Sequence, residues 1–385
     1  MQVGDIARGF GAALRHSCVL SAEKHAVLRA IERCRTAKLG GHMHVCDSCG
    51  YSVPLYNSCR NRHCPTCQSI EQHRWLERRR ERILPTPYFH VVFTLPSELR
   101  SIVMAQRELL FTMLMQAASE TLLTLAHDEK RLGATPAITM VLHTWTRELV
   151  FHPHVHAIVS GGGLRAGQEQ SWVRGSDRYL FPVKVMAKLF RRLFRTALLR
   201  AIDAGAVSVP SNSAEALHHA LFDKRWVVYC KAPFGGADQV FSYLGRYTHR
   251  VGISNARILC SDQHGVTFAT KNDGTCTLPQ VEFLRRLLLH VLPKGFHKIR
   301  HYGLCSASHV RIGSLERARS LLLAKDAGAA REPPIAADSG APKTWSECLL
   351  ALTGVDALRC PRCPNGRLVA RPLPERPDPM LRDTS

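Results

Sequence analysis

The sequence predicts an α+β protein, with a cysteine-rich N-terminal module ahead of a domain in which helices pack on an antiparallel sheet. Two observations lead to this fold class. Closely paired cysteines lie within residues 46–67. From Tyr88 onward, strand-like and helical patterns follow in the order strand, helix, strand, strand, helix, strand, helix. That order fits a sheet with helices packed on it.

The paired cysteines define the N-terminal module. The stretch "CDSCGYSVPLYNSCRNRHCPTC" contains Cys46-x2-Cys49 and, after fourteen intervening residues, Cys64-x2-Cys67. Each C-x2-C pair forms a tight knuckle that directs two thiolates at one ion, and two knuckles complete a tetrahedral zinc site. We therefore predict zinc on these four sulfurs, in a structural role because no coordination position stays open.

Other cysteines leave room for more metal. A candidate second zinc site near the knuckles consists of Cys34, Cys59 and His63. Buried thiols and a solvated histidine are the alternative. Near the C-terminus, Cys360-x2-Cys363 supplies half of a further site, which Cys348 or a residue elsewhere in the chain would complete.

A basic segment, "QSIEQHRWLERRRERIL", follows the second knuckle and has helical character. Its arginines are candidates for contact with nucleic-acid phosphates: Arg74, Arg78, Arg79, Arg80 and Arg82. A solvated helix face is the alternative. The whole chain agrees with the first interpretation, because 52 Lys and Arg against 31 Asp and Glu give a net charge of +21. Such an excess indicates a polyanionic partner, either nucleic acid or an anionic membrane surface.

The chain of 385 residues is long enough for two or three domains. No apolar run approaches the roughly 18 residues of a membrane span, and the N-terminus lacks the apolar core of a signal peptide. We therefore expect a cytosolic protein with reduced thiols, in which some of the fourteen cysteines bind metal.

A histidine-rich strand lies in the middle of the chain. The stretch "FHPHVHAIVSGGG" places His154 and His156 two residues apart. Residues i and i+2 of a strand point to the same face, so the two imidazoles lie side by side. Together they are able to chelate a divalent ion, although a metal site needs at least one more ligand. A polar strand face with ordinary histidines is the alternative.

A later helix offers a second group of polar side chains. In "QVFSYLGRY", Gln239, Tyr243 and Tyr247 are spaced by four and share one broad helix face. Two tyrosines that pack in the core are the alternative.

These motifs resemble the signature of HUH single-strand endonucleases, and the fuller set is similar to the rolling-circle transposases of insertion-sequence family ninety-one. The similarity spans roughly residues 30 to 305. The stretches that carry it are "CRTAKLGGH", "YNSCRNRHCPTCQ", "YFHVVFTLP", "FHPHVHAIVSGGG", "KAPFGG", "YLGRYTHRVGISN" and "FHKIRHYG".

The resemblance implies a metal-dependent tyrosine nickase that acts on the single-stranded ends of a mobile element. His154 and His156 then bind Mg²⁺ or Mn²⁺, and Tyr243 and Tyr247 are the nucleophiles. For the third metal ligand the resemblance favours Gln239, with His249 and His152 as alternatives. Arg246 and Arg250 are candidates for phosphate contact, with ordinary surface arginines as the alternative. Transposition through a 5′-phosphotyrosine in the bacterial cytosol, in association with the nucleoid, is the expected function.

Two other functions stay open at this point: a zinc-dependent DNA-binding regulator without catalysis, and a metallonuclease that uses water in place of tyrosine. The predicted organisation has four segments: residues 1–84 as a zinc-binding, DNA-binding module with the Arg-rich helix, 85–322 as the HUH endonuclease domain, 323–345 as a linker and 346–385 as a C-terminal tail with its C-x2-C pair.

Overall fold

The structure is a computed structural model of the full chain. It describes residues 1–67, 82–167, 171–176, 178–210, 213–234, 239, 245, 252–326, 344, 346–347, 349–350 and 354–373.

The described parts of the chain contain both strands and helices. The strands are β1 (Gly41–Cys46), β2 (Ser52–Tyr56), β3 (Tyr88–Thr94), β4 (Thr135–Trp145), β5 (Phe151–Leu164), β6 (Trp172–Arg174), β7 (Val228–Phe234), β8 (Ile258–Asp262), β9 (Gly265–Ala269), β10 (Thr275–Leu278), β11 (Ile299–Gly303) and β12 (Leu368–Pro372). The α-helices are α1 (Val3–Ser17), α2 (Ala22–Arg33), α3 (Arg100–Ala105), α4 (Arg107–His127), α5 (Val183–Asp203), α6 (Ala214–His218), α7 (Gln280–Leu289), α8 (Ala307–Arg311) and α9 (Ser314–Asp326).

The chain divides into two compact units. The first, here called the cysteine unit, comprises residues 1–74, 253–288 and 337–385. The second, here called the histidine unit, comprises residues 75–252 and 289–336. This grouping differs from the linear order of four segments, because residues 253–288 and the C-terminal segment pack with the N-terminal module.

The histidine unit is built on one large antiparallel sheet. Its strand order is β11-β4-β5-β3-β7, and β6 pairs with β5 beside this path. Every strand pair within it is antiparallel. The prediction of an α+β fold with helices on an antiparallel sheet is thus confirmed.

One face of this sheet packs on α4 and α5. Because side chains alternate along a strand, β5 directs Val155 and Ala157 into this core, where both are fully buried. From β3, the Phe93 ring contacts Phe190 of α5 with ring centroids 5.0 Å apart. The opposite face, here called the histidine face, therefore carries His154 and His156.

Helix α4 is long and apolar enough to cross a membrane by length and composition alone, although the sequence predicts no such span. In the fold, 67% of its most apolar stretch is buried. Phe111 and Leu114 of this helix lie in the core against the sheet. The composition of α4 is therefore that of a core helix.

The cysteine unit contains two small antiparallel sheets, with strand orders β12-β1-β2 and β10-β9-β8. Helix α1 packs on α2, and α2 is capped by Ser21, whose side chain accepts a hydrogen bond from the Lys24 amide. The first sheet joins residues from both ends of the chain, since β12 pairs with β1.

Candidate functional site

The predicted histidine pair lies on β5 as expected. The ring centroids of His154 and His156 are 4.9 Å apart, and Val155 between them is fully buried on the other face. The spacing of two residues thus places both imidazoles on the histidine face.

A third imidazole completes this cluster. His143 of β4 pairs directly with His154 across the two strands, so its side chain lies on the same face. Ligand nitrogens of His143, His154 and His156 all lie within 4.8 Å of one another. His143 was not identified from the sequence. Its signal is the antiparallel pairing of "AITMVLHTW" with "FHPHVHAIV", which places His143 opposite His154.

The environment keeps the imidazoles of His154 and His156 neutral, the state that binds a metal. Burial lowers the pKa of His154 to about 4 and the pKa of His156 well below its usual value. Nδ1 of His154 donates a hydrogen bond to the carbonyl oxygen of His152 at 2.6 Å, which fixes the tautomer and leaves Nε2 able to bind a metal.

Other aromatic and basic groups surround the three histidines. The His143 ring stacks on Trp145 with centroids 4.5 Å apart. Nε2 of His90 lies 2.8 Å from Nδ1 of His156. The positive charges of Lys231 and Arg100 contribute, after burial, to the lowered pKa values of His90 and His152. The cluster therefore lies in a basic setting that suits a polyanionic substrate.

The other predicted ligands and nucleophiles are placed only in part. His152 contacts Arg100, with Nδ1 3.2 Å from Nη2 of the guanidinium, so a cation already lies beside it. Gln239 is helical and exposed. Several predicted residues lie outside the described part of the chain: Tyr243, Tyr247, Arg246, Arg250 and His249, together with Arg74, Arg78, Arg79 and Arg80.

The predicted zinc ligands fall into two clusters rather than one. The first cluster consists of Cys34, Cys59, Cys64 and Cys67, whose sulfurs lie within 4.8 Å of one another. Cys34 and Cys59 each place Sγ 3.5 Å from Sγ of Cys67. The thiols of this cluster influence one another, because the contact between Cys34 and Cys59 is the main cause that lowers the pKa of Cys34 to about 7 and raises the pKa of Cys59.

The second cluster consists of Cys46, Cys49, Cys360 and Cys363. The predicted set of Cys46, Cys49, Cys64 and Cys67 is therefore not brought together. The first knuckle follows β1, and the pairing of β1 with β12 brings the C-terminal knuckle to it.

Cys34 and Cys59, predicted as part of a second site with His63, instead complete the first cluster with Cys64 and Cys67. Cys34 is held where α2 ends, because its amide donates to the carbonyl of Ile31 at 3.2 Å. His63 lies between Cys59 and Cys64 in the sequence and is buried in the fold. It is not among the clustered ligands.

Comparisons with known proteins identify the chain. The family model described as "Transposase zinc-binding domain" matches residues 6–95, and the one described as "Putative transposase" matches residues 137–311. A protein of Sinorhizobium fredii, "Putative transposase y4qJ", is 41% identical over 384 residues, which cover 96% of this chain and 94% of that protein. The chain belongs to the transposases of insertion-sequence family ninety-one.

A second relative agrees with this membership. "Transposase for insertion sequence element IS801" of Pseudomonas savastanoi pv. phaseolicola is 29% identical over 287 residues, 70% of this chain and 67% of that protein. No solved structure matches the chain. The transposase family makes this a DNA-processing protein, and its zinc-binding domain together with the thiol clusters supports structural zinc.

The two family matches cover the candidate sites unequally. Residues 137–311 include all three clustered histidines, and residues 6–95 include the whole first cysteine cluster. The second cysteine cluster is covered only by half, because Cys360 and Cys363 lie beyond both matches.

Proposed function

We propose that this transposase nicks and rejoins single-stranded DNA at the ends of its insertion sequence, by metal-dependent transesterification through a 5′-phosphotyrosine. The observation that supports this function best is the convergence of His143, His154 and His156 on one sheet face. These three imidazoles on adjacent strands form one set of nitrogen donors. Such a set has no evident purpose in a regulator that only binds DNA.

The donor chemistry fits a divalent ion. His143, His154 and His156 would hold it, and a bound ion polarises the scissile phosphate and orients it for in-line attack. Of the two ions expected, Mn²⁺ fits better than Mg²⁺, because Mg²⁺ strongly prefers oxygen ligands.

The covalent step belongs to a tyrosine. A phenol has a pKa of about 10 and is a weak nucleophile at neutral pH, so it requires an activated phosphate. The oxygen of Tyr243 or Tyr247 attacks phosphorus, the bond from phosphorus to the 3′ oxygen breaks, and the phenol proton is lost while the 3′ oxygen gains one. The phosphotyrosine bond keeps the energy of the phosphodiester, so rejoining requires no ATP.

The histidine face also offers groups that suit a single strand. Tyr229 pairs with Val92, which pairs with His156, so these side chains share one face. Tyr229 is 55% exposed, and an exposed tyrosine ring is able to stack on an unpaired base. Arg100 and Lys231 supply positive charge for phosphates. A protein with this function would act in the bacterial cytoplasm, on the DNA of the nucleoid.

A gel for covalent protein–DNA adducts tests this function. The full chain is incubated with single-stranded DNA of an element end and Mn²⁺, then denatured. We expect a tyrosine-linked adduct that His154→Ala abolishes and that His264→Ala, at an exposed hairpin residue, leaves unchanged. Cut DNA without an adduct would instead indicate hydrolysis, and a mobility shift without cutting would indicate a regulator.

A further inference from the structure

We propose a second structural zinc ion that is held by four thiolates from the two ends of the chain: Cys46, Cys49, Cys360 and Cys363. The ion would close a split zinc ribbon, with one knuckle after β1 and the other before β12. This proposal is independent of the nicking function.

The sulfur positions match a tetrahedral ion. Sγ of Cys46 lies 3.6 Å from Sγ of Cys363, and Sγ of Cys49 lies 3.7 Å from Sγ of Cys360. A zinc–sulfur bond of about 2.3 Å gives a tetrahedron whose edges are roughly 3.8 Å. A disulfide would require sulfurs about 2.05 Å apart, so the arrangement fits four ligands of one ion rather than two bridges.

Backbone amides in both knuckles point at sulfur. The amides of Ser48 and Cys49 each donate to Sγ of Cys46 at 3.4 Å. The amide of Arg362 donates to Sγ of Cys360 at 3.3 Å. Arg362 is two residues after the first cysteine of its knuckle, the same position that Ser48 has in the other knuckle. Hydrogen bonds to a sulfur favour its thiolate form.

Gly366 has no side chain, and the sulfurs of the cluster occupy the space that a side chain would need. A Cβ on Gly366 would overlap Sγ of Cys46 and lie 2.8 Å from Sγ of Cys363. The backbone of the C-terminal loop thus passes directly over the sulfurs. Any larger residue at this position would displace them.

Strand pairing aligns the two knuckles with each other. In the register of β1 and β12, Cys46 lies opposite Leu368 and Val45 opposite Val369. The Asp47 amide donates to the carbonyl of Arg367 at 3.0 Å, and the Arg367 amide donates to the Asp47 carboxylate at 2.8 Å. These bonds bring cysteines that are more than 300 positions apart in the sequence within reach of one ion: Cys46 and Cys363 are separated by 317 positions, and Cys49 and Cys360 by 311.

Zinc counting on the full chain tests the proposal. We expect native mass spectrometry to find one zinc ion fewer in Cys360→Ser/Cys363→Ser than in the wild type. The matched control, Cys260→Ser/Cys276→Ser, removes two thiols from the same unit outside both clusters and should keep the wild-type count. An equal count in Cys360→Ser/Cys363→Ser and wild type would overturn the proposal.

A second measurement leaves all four cysteines in place. A protease site inserted between residues 330 and 340, within the predicted linker, allows the folded full chain to be cut. We expect the C-terminal fragment to stay bound during gel filtration and to separate after zinc chelation or, without chelator, in Gly366→Ala. Separation of the fragment from zinc-loaded wild-type protein, or retention after complete zinc removal, would contradict the proposal.

Discussion

Nε2 of His90 lies 2.8 Å from Nδ1 of His156, and the two rings are parallel to within 5°. One of these nitrogens donates and the other accepts, and when Nδ1 of His156 is the donor, its Nε2 is left without a proton. A metal bound by His156 then takes Nε2. His90 comes from β3, which pairs with β5, so it would act on a metal through His156, as a positioning residue.

Removal of this support should weaken metal binding. We expect His90→Ala to lower the affinity for Mn²⁺ about 10–100-fold, the usual effect of losing such a partner, and His90→Gln to restore part of it because its amide again bonds His156. Calorimetric titration with Mn²⁺ measures the affinity. His301→Ala, on β11 of the same sheet, serves as the control. Wild-type affinity in folded His90→Ala would show that His90 has no such role.

The identity of the third metal ligand can be decided by two variants. The geometry favours His143, whereas the family resemblance favours Gln239. We expect His143→Ala to abolish Mn²⁺ binding and nicking while salt-sensitive DNA binding persists, because affinity for DNA comes mainly from Lys and Arg contacts to phosphate. Gln239→Ala should retain Mn²⁺ binding. The reverse result, with Mn²⁺ lost only in Gln239→Ala, would reject the three-histidine site.

Local periodicity was sufficient to predict part of this site. The spacing of His154 and His156 on a strand decides which face they share, because side chains alternate along a strand. His143 depends on the register between β4 and β5, which the sequence of either strand alone does not specify. The third imidazole was therefore missed although its strand was predicted.

The cysteine clusters show the same limit at longer range. The C-x2-C spacing correctly indicates knuckles, since it is a local property of the backbone. Which knuckles share an ion depends on the pairing of β1 with β12, whose residues lie at opposite ends of the chain. Sequence proximity favoured Cys46 and Cys49 with Cys64 and Cys67, and tertiary pairing overrides it.

A buried histidine predicts how stability depends on pH. Burial lowers the pKa of His290 to about 3. Its Nε2 donates to the carbonyl of Leu149, and its Nδ1 accepts from the Thr144 hydroxyl, both at 3.2 Å. The unfolded chain gains a proton near pH 6.5, whereas the folded protein does not until about pH 3. The free energy of unfolding should therefore fall as pH drops below 6.5, by up to about 1.4 kcal/mol per pH unit from this residue.

Urea unfolding between pH 7 and pH 5 measures this effect. His290→Gln keeps a donor for Leu149 but does not titrate, so the free energy of unfolding should depend less steeply on pH in this variant than in the wild type. Identical pH dependence in the two proteins would show that His290 is not the group responsible.

The first cysteine cluster should be essential for the fold of the cysteine unit. Cys64 is buried among three other thiols. A structural zinc ion contributes roughly 10–16 kcal/mol in small zinc modules, which matches or exceeds the 5–15 kcal/mol stability of a typical domain. We expect Cys64→Ser, or zinc chelation, to unfold this unit and weaken DNA binding. Limited proteolysis measures the unfolding, with Cys18→Ser, outside both clusters, as the control. Protease resistance in zinc-free Cys64→Ser would contradict this expectation.

The two tyrosines yield the last prediction. Tyr243 and Tyr247 are four residues apart, a spacing that predicts one shared helix face, from which both would reach one metal site. Replacement by Phe removes only the hydroxyl and preserves packing. If the tyrosines alternate, each single variant should still form adduct on a minimal oligonucleotide, the double variant should form none, and each single variant should lose transposition of a whole element. If only one tyrosine reacts, its variant alone abolishes the adduct.

We expect alternation, because two ends must be cleaved and rejoined and each covalent link occupies one tyrosine. Mass spectrometry of the trapped peptide identifies the linked residue. An adduct on neither tyrosine, in protein that still cuts DNA, would reject the tyrosine mechanism and leave hydrolysis by a metal-activated water.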